Sequence, residues 1–133
     1  MEMKKLLESF NHAINGVVDA VRTQRNMKIH ILASMGVLIA CFFFDVSKAE
    51  FLALAITITM VISAELVNTA VEAAVDLNTN YYHPLAKVAK NTAAGAVLVT
   101  AINAILVGYI VFWDKLSNFS FEVVIKSNIQ NHI

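Results

Sequence analysis

The chain has a single cysteine, Cys41, in 133 residues, so it cannot close a disulfide within itself. That cysteine lies inside an apolar run with no metal-site spacing around it and reads as a small buried hydrophobe. Charge is scarce as well: Asp, Glu, Lys and Arg make up 15% of the residues, and ten acids balance ten bases. A net charge of zero supplies no basic field, so no nucleic-acid partner is expected. No apolar run follows Lys4 and Lys5 closely enough to make a signal peptide.

What the chain has in quantity is apolar side chains, 58% of the total. A chain of this length makes one domain and buries only about two-thirds of its unfolded surface. Lipid, rather than an interior core, is therefore the expected sink for so much hydrophobe. Three apolar segments are long enough to use it, at 27–44, 51–75 and 92–113. The first needs its helix to begin near Asn26, because Ile29–Phe44 alone falls short of a span. Tyr109 and Trp113 close the third as an interfacial aromatic belt would. Ahead of the spans, Leu6, Leu7, Phe10, Ile14, Val17 and Val21 recur at three- and four-residue steps, which is one face of a helix. Lys4, Lys5, Arg22, Arg25 and Lys28 around that face favour a helix lying on a membrane surface. The expectation is an all-α membrane protein with one domain over 1–133. It comprises a surface helix at 1–25, three transmembrane helices, a polar loop at 76–91 in which Pro84 starts a helix, and a tail at 114–133 with no readable motif.

Seven of the ten Lys and Arg residues lie in the amino-terminal segment and the 76–91 loop; Lys48, Lys115 and Lys126 lie on the other side. The positive-inside rule then puts the amino terminus in the cytoplasm of a multi-pass protein of the cell membrane.

Acids interrupt this pattern. In Glu65-Leu-Val-Asn68-Thr-Ala-Val-Glu72-Ala-Ala-Val-Asp76, the four polar side chains fall within about 80° of one helix face. Glu50, at the other end of the same segment, points near that face too. Glu65 follows some fourteen mostly apolar residues, where a charge costs about 2.5–3.5 kcal/mol on insertion scales. Such a stripe needs cations, water or protein partners. Pairing with Lys87 and Lys90 is the plain structural account. The chemical one is that carboxylates beside lysines at a membrane face suit divalent metal and phosphate, with one carboxylate free to take a proton from a hydroxyl. The acids gather toward one face instead of crossing the span, which argues against an ion path. His30 is as readily a helix-end residue near head groups as part of a site.

The run ELVNTAVEAAVDL, followed by HPLAKVAKNTAAGAVL and preceded by SFNHAINGVVDAVRTQRNMKIH, resembles the prokaryotic diacylglycerol kinase family over about Leu6–Trp113. The form with RN-x-x-IH and NTAVE is closer to its Gram-positive members, several of which phosphorylate undecaprenol. The resemblance implies ATP-dependent phosphorylation of a membrane lipid alcohol, undecaprenol or diacylglycerol, by a homotrimer embedded in the bilayer. It implies Glu65 as catalytic base beside Asn68, Glu72 as a magnesium ligand, and His12, Asp76, His83, Lys90 and Asn91 near the nucleotide. Two positions depart from the family pattern: Gln24 stands where a metal-binding glutamate is expected, and Asn91 where an aspartate is usual. Both delete a negative charge, so a catalytically impaired relative that binds nucleotide or lipid, or assembles with a homologue, stands as the alternative.

Overall fold

A computed structural model describes residues 2–78 and 81–130, with side chains through Asn118. Met1, Thr79, Asn80 and 131–133, which belong to the expected surface helix, loop and tail, lie outside the described residues, as do the side chains of Glu122 and Lys126. Four helices follow one another: α1 Glu2–Thr23, α2 Arg25–Phe43, α3 Lys48–Asn78 and α4 Pro84–Gln130. Among the described residues there is no strand, and the fold is all-α as expected.

The helix ends have local causes. Gln24 breaks α1 from α2 by taking an extended conformation, φ −92° and ψ 121°, without a side-chain cap of its own. At the start of α3, the Ser47 backbone N–H donates to Glu50 Oε2 at 2.7 Å, and the Glu50 N–H donates to Ser47 Oγ at 3.3 Å. This is a reciprocal capping box. Pro84 opens α4, where its missing N–H costs nothing. His83 Nδ1 accepts the Leu85 N–H at 3.2 Å and caps that first turn. The tail continues α4 to Gln130 without a break, since neither Pro nor Gly follows Gly108 to end it.

Three helices are long and apolar enough to cross a membrane: Arg25–Phe43, Lys48–Asn78 and Pro84–Asn118. The 31 residues of α3 make about 46 Å at 1.5 Å per residue, well beyond the roughly 30 Å of a hydrocarbon core. Its ends therefore project past the lipid, and apolarity marks the span while capping marks the helix. Hydroxyls within the spans return to their own helix, as in Thr57 Oγ1 to Ala53 O at 2.7 Å and Ser34 Oγ to His30 O at 2.7 Å. No donor is left facing hydrocarbon at those sites.

α3 packs chiefly on α4 and, less extensively, on α2, while α1 touches α2 and α3. The interior is small: Ala20, Met27, Leu54, Val61, Val97 and Val111, with the polar Thr57, Glu65 and Asn68. The chain exposes 10351 Å², whereas a soluble globular monomer of 14.6 kDa would expose about 6,900 Å². The excess is largely apolar, with Leu32, Ile39, Phe42, Leu98, Val99 and Ile105 on the spans and Leu6, Leu7, Phe10 and Ile14 on α1 all open. Surface of that kind is covered by lipid or by further chains.

Candidate active site

The carboxyl-terminal half of α3 carries the expected acid stripe into the contact with α2 and α4. Glu65 lies about 26 Å along α3 from its first residue, and is 1% exposed. Glu65 Oε2 and Asn68 Oδ1 are buried and have no hydrogen-bond partner. Asn68 instead donates its side-chain N–H to Glu72 Oε1 at 3.2 Å, across one turn of the helix. Leaving two buried acceptors unsatisfied costs about 1–3 kcal/mol each. Native interiors rarely tolerate that unless something else supplies the donors.

These three side chains face a cavity of about 280 Å³. Asn26, Ile29 and His30 of α2 form a second wall, and Ala94, Val97, Leu98 and Ala101 of α4 a third. The small alanines of α4 leave the room. One turn farther along α3, Asp76 pairs with Lys90 of α4 at 2.5 Å and ties the two helices at this end of the bundle. The pair is open to solvent on both sides. Among the described residues Lys87 makes no ion pair, so the lysine-pairing account of the stripe holds for Asp76 alone.

The remaining expected site residues are spread out within one chain. His12 is exposed on α1 and Asn91 is exposed on α4. Gln24 is half-buried at the α1–α2 junction, and neither it nor Asn91 lines the 280 Å³ cavity. His83 lines a separate cavity with Val75, Asn78, Tyr81 and Ala86. Glu50 does not extend the stripe. Its carboxylate is taken up by the α3 cap and by Lys115, whose Nζ lies 3.2 Å from Oε1 and also donates to the Asp45 carbonyl at 2.7 Å. Asn26 is a cavity residue that sequence reading did not assign to the site, and His30 is one it left open between a helix end and the site. Their four-residue spacing on α2 is the signal that could have paired them, since it places both on one helix face.

Residues 11–112 match the prokaryotic diacylglycerol kinase family, a stretch that contains the whole cavity. The chain belongs to this family. Within the prokaryotic diacylglycerol kinases it is similar to the undecaprenol kinase of Bacillus subtilis strain 168, with 42% identity over 115 residues, covering 86% of this chain and 94% of that protein. It is 45% identical over 104 residues to a diacylglycerol kinase of Synechocystis sp., covering 77% of this chain and 59% of that protein. A diacylglycerol kinase of Escherichia coli K12 is 34% identical over 80 residues, covering 60% and 65% of the two chains. Family membership agrees with the fold: a cavity bearing Glu65, Asn68 and Glu72 lies among helices of membrane-spanning length.

Proposed function

We propose that this protein is a lipid kinase that transfers the γ-phosphoryl group of ATP to a membrane lipid alcohol, undecaprenol or diacylglycerol. The observation that carries the reading is Glu65, a carboxylate buried within a membrane-length helix, with an oxygen that has no partner and a neighbouring amide oxygen in the same condition. A lipid hydroxyl supplies the missing donor. Glu65 takes the hydroxyl proton, the alcohol oxygen bonds to the γ-phosphorus, and the bond to the bridging oxygen of ADP breaks. Asn68 orients Glu72 through its N–H. Lys90, at the mouth of the site, neutralises nucleotide phosphates by exchanging its Asp76 partner for them.

Magnesium suits the donor set. It takes hard oxygens, usually one or two carboxylates together with substrate phosphates. Glu72 keeps Oε2 without a hydrogen-bond partner among the described residues. Those residues hold no group of three or more His, Cys, Asp or Glu side chains able to bind a metal alone, which matches a metal that arrives with the nucleotide. Glu72 would hold it, and Gln24 would join only from another copy or after α1 moves. Bound there, the ion would offset charge on the phosphates. The remaining nucleotide contacts, from His12, His83 and Asn91, are assigned by family position. A homotrimer would fit that assignment, because none of these residues lines the Glu65 cavity of its own chain and a neighbour could present them.

The basic residues that flank this end of the bundle support a cytoplasmic side for it and for the amino terminus. The test is transfer of labelled γ-phosphate from ATP to undecaprenol and to diacylglycerol by the full chain in mixed micelles. Transfer to either lipid is the expected result. No transfer by the wild type, with recovery in Gln24→Glu plus Asn91→Asp, would mean that the fold is intact and the site impaired. Silence from both proteins would overturn the kinase reading.

A further inference from the structure

The cavity that holds Glu65 adjoins another space. His30 and Ala101 line it and also line a second space of about 410 Å³. That second space runs on between the same three helices, along Ala33 and Val37 of α2, Ile58 and Val61 of α3, and Ala104 and Gly108 of α4. Its walls are aliphatic or small, whereas the first space has Glu65, Asn68 and Glu72. His30 is thus the one strongly polar side chain that borders both. Nothing in a nucleotide suits the aliphatic compartment; the hydrocarbon chain of a lipid alcohol does.

We propose that His30 positions the acceptor: its imidazole holds the lipid hydroxyl at the boundary where the polar cavity opens into the apolar groove, with the lipid chain lying in that groove. The assignment rests on the kinase reading above. A hydroxyl has one hydrogen to give and two lone pairs to fill. Glu65 Oε2 is the waiting acceptor for that hydrogen. The lone pairs then need a donor. One N–H of the Asn68 amide is already given to Glu72, and neither Asn68 nor Asn26, which line the first cavity, also borders the groove. His30 is half-buried, it lines the same cavity as Glu65, and its ring has no hydrogen bond among the described residues. An imidazole N–H directed at the oxygen leaves the proton facing Glu65. His30 acts by holding the alcohol, not by exchanging its proton.

The experiment has two arms on the full chain in mixed micelles. The first measures kcat and both KM values for His30→Phe, His30→Gln and Gly108→Leu. Losing one buried hydrogen bond to the hydroxyl raises the acceptor KM of His30→Phe by about tenfold, while the KM for ATP stays at the wild-type value. His30→Gln keeps an N–H donor and recovers most of the acceptor affinity. A Cβ at Gly108 meets no atom within 4 Å, so Gly108→Leu fills the groove without distorting α4. It raises the acceptor KM for long-chain alcohols and spares short-chain ones. The second arm needs no turnover: a lipid alcohol with a diazirine in its chain is photolysed on the protein and the labelled peptide identified. Label on the Ala101–Gly108 segment, reduced in Gly108→Leu and in His30→Phe, is expected. Label on that segment without phosphate transfer would sink the kinase reading and keep the lipid site. Transfer by the wild type, with label elsewhere or with His30→Phe raising the KM for ATP rather than for the lipid, would overturn the role given to His30.

Discussion

Glu65→Gln separates what the buried carboxylate does for chemistry from what it does for the fold. The substitution is near-isosteric and leaves the 280 Å³ cavity its shape. It removes the base, and general-base catalysis by one positioned group contributes about 10²–10⁴-fold, or about 2.7–5.5 kcal/mol of barrier. The effect on stability runs the other way. Glu65 Oε2 lacks a partner while nearly fully buried, and an unsatisfied buried polar atom costs about 1–3 kcal/mol, more when charged. The neutral amide is cheaper to bury, so the variant unfolds at the same temperature as the wild type or higher. Glu65→Asp completes the set: it keeps a carboxylate but withdraws it by about one methylene, and misplacement of that order costs about 10²-fold. The assays are phosphate transfer to undecaprenol and diacylglycerol, with thermal unfolding in the same detergent. A loss of at least a hundredfold in kcat at undiminished unfolding temperature is expected for Glu65→Gln. A kcat within about threefold of wild type would refute the reasoning, and so would a loss of activity matched by a fall in stability.

Two other substitutions probe the ends of the bundle. Lys90→Met keeps the stem and deletes the charge; the exposed pair with Asp76 contributes at most about 1 kcal/mol to stability, so the unfolding temperature barely moves. The KM for ATP, by contrast, rises at least about tenfold through loss of a charge-assisted contact to phosphate, and an unchanged KM would remove Lys90 from the nucleotide site. Ser47→Ala strips the α3 cap at the opposite end and destabilises the fold by about 1 kcal/mol, read as a lower unfolding temperature. Phosphate transfer below that temperature stays at the wild-type rate, since Ser47 is remote from the cavity.

The spans were legible because apolar runs of membrane length have few other uses, and Pro84 announced the start of α4 by itself. The stripe Glu65, Asn68 and Glu72 was legible for a related reason: acids at helical spacing within an apolar run have nowhere to face but inward. Helix lengths were less so, because α3 and α4 continue through polar residues that lipid does not cover. Glu50 shows where periodicity misleads. Its angle on α3 matches the stripe, but Lys115, distant in sequence, lies within ion-pair reach of it. No local pattern reveals such a partner. His30 was ambiguous for the same reason, since its neighbours at the site come from α3 and α4.

The ion pairs at the two ends of α3 have a mechanical consequence. Asp76 joins Lys90 at one end and Glu50 joins Lys115 at the other, with Leu54, Val61, Val97 and Val111 packed between. While both pairs hold, α3 and α4 are tied at the two ends of their common length. Among the described residues α2 has no such ion pair: it packs more sparsely on α3 and meets it through the short turn after Phe43. Widening of the space in front of Glu65 would therefore fall to α2, the helix that carries His30. On the role proposed for His30, a swing that makes room for an incoming chain would also carry the imidazole away from the head group it holds.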